Sequence, residues 1–399
     1  MSQTILTNIG CIASYNSASQ EVEYIQDTKI LVEDDIIRKV GKISDTNIKK
    51  FDCEQKLVTP GFVDSHTHPV FFKGREKEFA MRLNGLSYTE IANKGGGIVS
   101  SINGVRNSSK GELIDAVIPR MDRFLQLGTT TIEAKSGYGL DTENELKSLA
   151  VLDFINQNHE LDVIPTFMGA HAFPPEYEND HDGYVNLLCE EMIPAVAEQG
   201  IAKFCDVFCE KGYFSIRQTR KIIDTAVKFG LIPRLHADEF QDSGAAELAV
   251  KIDAISADHL MAISENGIKK LSKSNVIATL LPGTTFFLGS NKYAPANKLL
   301  AEGVEIALAT DFNPGSCHIQ SMPFIFTLAC IKLGMPIKTV LKATTYSSAK
   351  TLQIENKVGS IEVGKRADLI IWEIDNLLQI PYNVTDVPIN KVMKNGKFI

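Results

Sequence analysis

The sequence predicts an α/β fold: a (β/α)8 TIM-like barrel carrying a small composite β-sandwich formed by the N- and C-terminal segments. Three observations predict it. Eight apolar, β-branched runs alternate with helix-length amphipathic segments, the pattern of βα units around a parallel sheet. These runs span about 255 residues, close to the ~250 that an eightfold barrel needs. Short strand-and-turn patterns occupy both chain ends, which predicts one small unit assembled from the two.

In chain order, residues 1–56 read as short strands with turns, at 4–7, 29–32 and 36–40 before Gly41. The pattern changes at Leu57. The eight apolar runs are 57–65, 129–135, 162–170, 203–210, 232–237, 253–259, 276–282 and 304–310. Amphipathic helical patterns lie between them, among others at 143–158, 216–229 and 264–272. Two further helices follow, 322–333 and 337–352, and the tail returns to strands at 367–372 and 391–393. The barrel is therefore expected over 57–358 and the sandwich over 1–56 with 359–399. The run Gly95-Gly96-Gly97 is followed by no Lys-Ser/Thr pair, so it reads as a tightly turned rim segment and not a phosphate loop.

Composition narrows the function classes. Acidic residues outnumber basic ones, 49 against 41, for a net charge of −8. Neither nucleic acid nor an anionic membrane attracts such a surface, so no nucleic-acid or membrane partner is expected. No run reaches the ~20 apolar residues of a membrane-spanning helix, and the first residues lack the pattern of a signal peptide. Seven cysteines without framework spacing read as reduced thiols. A cytoplasmic protein is the expectation.

The chemistry gathers where predicted barrel strands end. His66-Thr67-His68 closes the first run, His171 the third, His236 the fifth, His259 the sixth and Asp311 the eighth. In a barrel these ends converge on one rim, where active sites sit. His66 and His68 are two apart, so an extended backbone projects both imidazoles to one side. His236 and Asp311 complete a set of N and O ligands suited to one Zn²⁺ or Fe ion per subunit.

These residues resemble the amidohydrolase superfamily. The matching marks are Pro60-Gly61-Phe62-Val63-Asp64-Ser65-His66-Thr67-His68, the later histidines, Asp311, and the tail from Gly359 through Gly364-Lys365-Arg366-Ala367-Asp368-Leu369. Finer motifs are similar to those of members that open a cyclic amide in histidine degradation. They are Arg75 after the paired histidines, Glu133-Ala134-Lys135-Ser136-Gly137-Tyr138-Gly139-Leu140, Gly169-Ala170-His171-Ala172, His236-Ala237-Asp238-Glu239-Phe240 and Thr310-Asp311-Phe312-Asn313-Pro314-Gly315-Ser316. Superfamily members with two metals often bridge them with a carbamylated lysine on strand four. Here that run ends in Cys209 and Glu210, so one metal is expected.

The resemblance implies hydrolysis of 4-imidazolone-5-propanoate to N-formimidoyl-L-glutamate by metal-activated water. His66, His68, His236 and Asp311 would hold the ion. Asp311 would also take the water's proton, and His259 would orient the water or stabilise the oxyanion. Glu239 would bond the ring and pass a proton to the leaving nitrogen. Arg75 offers a fork suited to the propanoate, and the resemblance adds Tyr138, His171, Asn313, Gly315 and Ser316 as substrate contacts. Taken singly, each has a plainer reading: Arg75 a solvated rim charge, Tyr138 a packing ring, His171 a satisfied rim histidine, Asn313 and Gly315 turn formers, Glu239 half of an ion pair. Deamination of another nitrogen heterocycle uses much the same ligands and is the alternative. A non-catalytic assembly protein would typically lack them. A small-molecule substrate and a homodimer are the expected partners.

Overall fold

A computed structural model describes residues 2–44, 48–86, 90, 96–384 and 386–399. Its centre is a parallel eight-stranded sheet in strictly sequential order. The strands, numbered one to eight, are Phe62–Asp64, Thr129–Lys135, Asp162–Ala170, Phe204–Cys209, Ile232–Ala237, Ser256–His259, Ile277–Leu280 and Ile306–Leu308. The edges meet where strands one and eight run out: Asp311 N–H donates to His66 O at 3.0 Å and His68 N–H to Phe312 O at 2.8 Å. Below them the Asp64 carboxylate accepts from Thr310 N–H at 3.0 Å and its hydroxyl at 2.6 Å. The sheet is thereby closed into a barrel by side chain as well as backbone.

Helices cover the outside, and local chemistry sets their starts. Ile216–Lys228 opens with a capping box, Ser215 and Gln218 each bonding the other's backbone N–H. Thr142–Asn158 starts on the Asp141 carboxylate. The predicted helix 337–352 is two helices, Ile337–Thr344 and Tyr346–Thr351. The break falls at two threonines whose hydroxyls bond back to Val340 and Leu341 carbonyls, competing with the helical ladder. Gly97 caps the helix Ile98–Arg106 with φ 73. Gly95 lies outside the described residues.

The chain ends build two further sheets. One has the order Ile36–Gly41, Lys29–Glu33, Gln3–Thr7, Lys49–Asp52. The other has the order Lys397–Phe398, Ile389–Lys394, Leu369–Trp372, Leu57–Pro60, Cys11–Asn16, Glu21–Ile25. Side chains alternate across the second sheet. Ile12, Val58, Leu369 and Ile371 pack toward Leu6 and Ile30 of the first sheet, while Ala13, Leu57, Ile370 and Trp372 join the barrel's core. The apolar run 57–65 is thus two strands, because Leu57–Pro60 pairs with Leu369–Trp372 and Cys11–Asn16 in the smaller unit. This corrects the expected start of the barrel at residue 57. The chain turns at Gly61, where a Cβ would lie 2.4 Å from the Thr130 side chain, so only glycine lets the strand pass.

Candidate active site and metal centre

The strand ends deliver every sequence-predicted site residue to one rim. Two arrive in left-handed backbone, His259 at φ 78 and Asp311 at φ 55. Non-glycine residues occupy that region at a cost, and such strain clusters at functional sites.

His66, His68 and Asp311 form the tightest group. His68 Nε2 lies 3.3 Å from His66 Nε2. Asp311 Oδ1 lies 3.6 Å from His66 Nε2 and 3.5 Å from His68 Nε2. A tetrahedral ion with ligands at roughly 2.0–2.2 Å requires donor atoms roughly 3.3–3.6 Å apart, so these three fit one coordination sphere. The second group of donors is His66, His236 and His259, whose ring nitrogens come within 4.8 Å of one another. His66 belongs to both groups, and the His236 ring centroid stands 4.5 Å from its own.

Carboxylates aim the two inner imidazoles. Asp258 Oδ2 takes His66 Nδ1–H at 2.7 Å, and Asp206 Oδ1 takes His236 Nδ1–H at 3.1 Å. A carboxylate on Nδ1 fixes the tautomer and turns Nε2 toward an ion. Burial, with the Lys135 ammonium close by, holds His66 and His68 well below the usual imidazole range, so both keep their lone pairs. Burial raises Asp311 to about 6. Its second oxygen is not bare: the Thr284 hydroxyl donates to Oδ2 at 2.5 Å.

Beneath this layer the barrel interior is ionic, where aliphatic layers are the norm. Lys135, wholly buried, bonds Glu133 at 2.8 Å and Asp206 at 2.9 Å. Arg234 bonds Asp258 at 3.2 Å and Ser65 O at 2.8 Å. Burial pushes Asp64 up to about 7 and Glu239 well above the carboxylate range, toward their protonated forms. The carboxylates of Glu133, Asp206 and Asp258 bond the two cations Lys135 and Arg234. The spacing of the donors and the free lone pairs of His66 and His68 fit a metal.

Above the donors opens a cavity of about 700 Å³. His68, His236, His259 and Asp311 line its floor, and His66 is sealed beneath. Arg75, Tyr138 and His171 stand on its wall, with Glu239, Asn313, Gly315 and Ser316 around them. Arg75 is held by Glu78, with Nε and Nη2 at 2.8 and 2.7 Å from one oxygen. Tyr138 and His171 pack together with ring centroids 5.2 Å apart, and His171 stacks on His68 at 5.0 Å. Glu239 faces His259 at 3.7 Å. Asn313 engages its amide in its own turn, accepting from Gly315 N–H at 2.8 Å and Ser316 N–H at 2.7 Å. It shapes the loop that carries Gly315 and Ser316.

Sequence reading had not singled out Asp206, Asp258, Lys135, Arg234 or Thr284. A signal existed for most of them. Asp64 with His66, Glu133 with Lys135, and Arg234 with His236 are each two apart, so each pair shares the inward face of its strand. Charged residues inside otherwise apolar runs mark the polar lining. Thr284 carried no such signal.

A barrel whose strand ends gather histidines and an aspartate fits the amidohydrolases, and residues 258–399 match the Amidohydrolase family model. An adenosine deaminase from Xanthomonas campestris, solved with bound zinc, shares the fold with a TM-score of 0.74 at 16% identity, covering 100% of this chain and 92% of its own. Relatives in sequence are closer. The imidazolonepropionase of Alkaliphilus metalliredigens is 45% identical over 95% of this chain and 92% of its own length. That of Clostridium tetani is 43% identical over 99% and 96%. The chain belongs to the imidazolonepropionase family.

Proposed function

We propose that the chain hydrolyses 4-imidazolone-5-propanoate to N-formimidoyl-L-glutamate in histidine degradation. The likeness to imidazolonepropionases over almost the whole chain carries the reading. The cavity supplies its chemistry. His66, His68, His236 and Asp311 would hold one Zn²⁺ or Fe ion per subunit. When bound, such an ion lowers the pKa of water from 15.7 toward ~7 and so supplies hydroxide at neutral pH.

The chain's own groups do the rest. Arg75 receives the propanoate against the Gly315 backbone, with Tyr138, His171 and Ser316 as further contacts on the same cavity. The water oxygen adds to the ring carbonyl carbon, the ring carbon–nitrogen bond breaks, and the departing nitrogen gains a proton. Asp311 takes the water's proton. Thr284 fixes the carboxylate's orientation by holding Oδ2. His259, whose ring nitrogens have no hydrogen-bond partner among the described residues, orients the water and meets the developing oxyanion. Glu239, whose carboxyl burial pushes well above the carboxylate range, gives a proton to the leaving nitrogen.

The chain is further proposed to work as a cytoplasmic homodimer. No helix among the described residues is long and apolar enough to cross a membrane. Ile331, Leu378 and Tyr382 expose an apolar surface on two helices that pack together, which suits a contact between copies. Elemental analysis of the purified protein, run beside loss of imidazolone-propanoate absorbance, tests metal and substrate together. About one zinc or iron per chain with turnover is expected. Metal-loaded protein that leaves the substrate intact overturns the reading.

A further inference from the structure

The substrate wall of the cavity rests on a short segment with no regular structure. Gly137, Tyr138, Gly139 and Leu140 lead from strand two into the helix Thr142–Asn158. Gly137 has φ 107 and Leu140 φ 54, so the segment sits in a conformation that needs external support. Glu145, wholly buried in the first turns of that helix, turns its carboxylate back into the loop. Its Oε1 accepts Gly139 N–H at 2.8 Å and Leu140 N–H at 3.0 Å. Gly137 N–H reaches both carboxylate oxygens, at 3.1 and 3.0 Å. Arg106 grips the other side, donating to Gly139 O at 2.7 Å and Leu140 O at 3.1 Å. The loop is clamped through its N–H groups by one residue and through its carbonyls by the other.

The clamp reaches a third strand. Gly137 O lies 2.9 Å from His171 Nδ1. A carbonyl has no proton to offer, so Nδ1 carries the hydrogen and a neutral ring leaves its lone pair on Nε2. His171 lines the cavity beside Tyr138.

We propose that Glu145, with Arg106, is the positioning residue of the substrate-reading wall: it fixes Tyr138 and holds the His171 proton on Nδ1, so that His171 Nε2 accepts a hydrogen bond from an N–H of the substrate's heterocyclic ring. The inference rests on the reading of this cavity as an imidazolone site. A ring N–H meets a lone pair there, whereas a ring carbonyl or N-methyl group at the same place leaves that lone pair unpaired and is rejected.

The test compares the metal-loaded wild type with Glu145→Ala and Glu145→Gln. One readout is the His171 tautomer by ¹⁵N NMR of histidine-labelled protein. The other is steady-state kinetics on 4-imidazolone-5-propanoate. In Glu145→Ala the Nδ1–H preference is lost and KM rises about tenfold, with kcat changing less than about threefold and metal content unchanged. Glu145→Gln, which keeps an accepting oxygen, falls between. If Glu145→Ala gives no folded protein, Arg106→Gln carries the same expectation, because that side chain is partly exposed. Folded variants with wild-type KM and the proton still on Nδ1 overturn the proposal. A wild type inert toward the imidazolone overturns the functional reading instead, and the tautomer then decides this one alone.

Discussion

Asp206 and Arg75 separate the two tasks of the site at the scale of single residues. Asp206 touches no substrate; it holds His236 by Nδ1 and is itself held by Lys135. Burial alone would raise its pKa, but His236, Lys135 and Arg234 outweigh that and keep it well below the carboxylate range. Asp206→Asn is expected to weaken metal affinity about 10–100-fold, the usual cost of losing such a partner, while turnover per bound metal stays near wild type. Competition against a chelator measures it, and unchanged affinity refutes the assigned role. Arg75 stands on the cavity wall instead. A charge-assisted bond to a carboxylate contributes about 1.5–3 kcal/mol, so Arg75→Ala is expected to raise KM by about 10–100-fold with little loss of kcat. An unchanged KM would remove Arg75 from carboxylate recognition. The strand-end donors were legible because each closes an apolar run, so position alone revealed His66, His68, His171, His236, His259 and Asp311. The ionic layer beneath them was not read, since a lone Asp206 within an apolar run looks like an interruption until the closed barrel gives it a partner.

Among the elements, the turn joining residues 359–369 to the sandwich rests on one carboxylate. Glu362 accepts from Ser17 N–H at 3.0 Å and the Ser17 hydroxyl at 2.5 Å, from Ser360, and from Lys365 at 2.9 Å. Burial opposes ionisation here, but these hydrogen bonds prevail and bring the group from 4.5 down to about 2. A folded pKa below the unfolded one adds stability that is present above about pH 4.5 and is lost as pH falls toward 2. The group is partly exposed, so solvent screens some of the gain. The melting-temperature gap between wild type and Glu362→Gln is therefore expected to be widest near neutral pH, to narrow below about pH 4.5 and to close only below about pH 2. A gap that does not depend on pH would show that Glu362 acts through packing alone. The order of the barrel elements was readable because β-branched runs and 3.6-residue periodicity alternate so regularly. The division of 57–65 was not, because Leu57 through Val63 is apolar on both sides of the turn and each half is buried by a different sheet.

For the whole molecule, the question is whether sandwich and barrel stand or fall together. The six-stranded sheet is buried on both faces, so the barrel is half of its environment. An ionic knot adds to this at the barrel's lower end. Lys394, wholly buried, donates to Asp162 of strand three at 2.9 Å and to Asp368 at 2.8 Å, and Arg366 also bonds Asp162. Removing one member of a buried pair leaves the others uncompensated, so Lys394→Ala is expected to cost about 3 kcal/mol. The chain carries its own reporter for the consequence. Trp372 is the only tryptophan, and it sits in the shared sheet with its indole N–H on Thr59 at 2.9 Å. Its fluorescence follows the contact of that sheet with the barrel, where its ring packs on Phe62, while far-ultraviolet circular dichroism follows the helices around the barrel. Under denaturant at saturating metal, the two signals are expected to change in one coincident transition. Lys394→Ala should move that transition to lower denaturant in both signals by the same amount. Separate midpoints would mean that the sandwich unfolds alone and that its double burial does not bind it to the barrel.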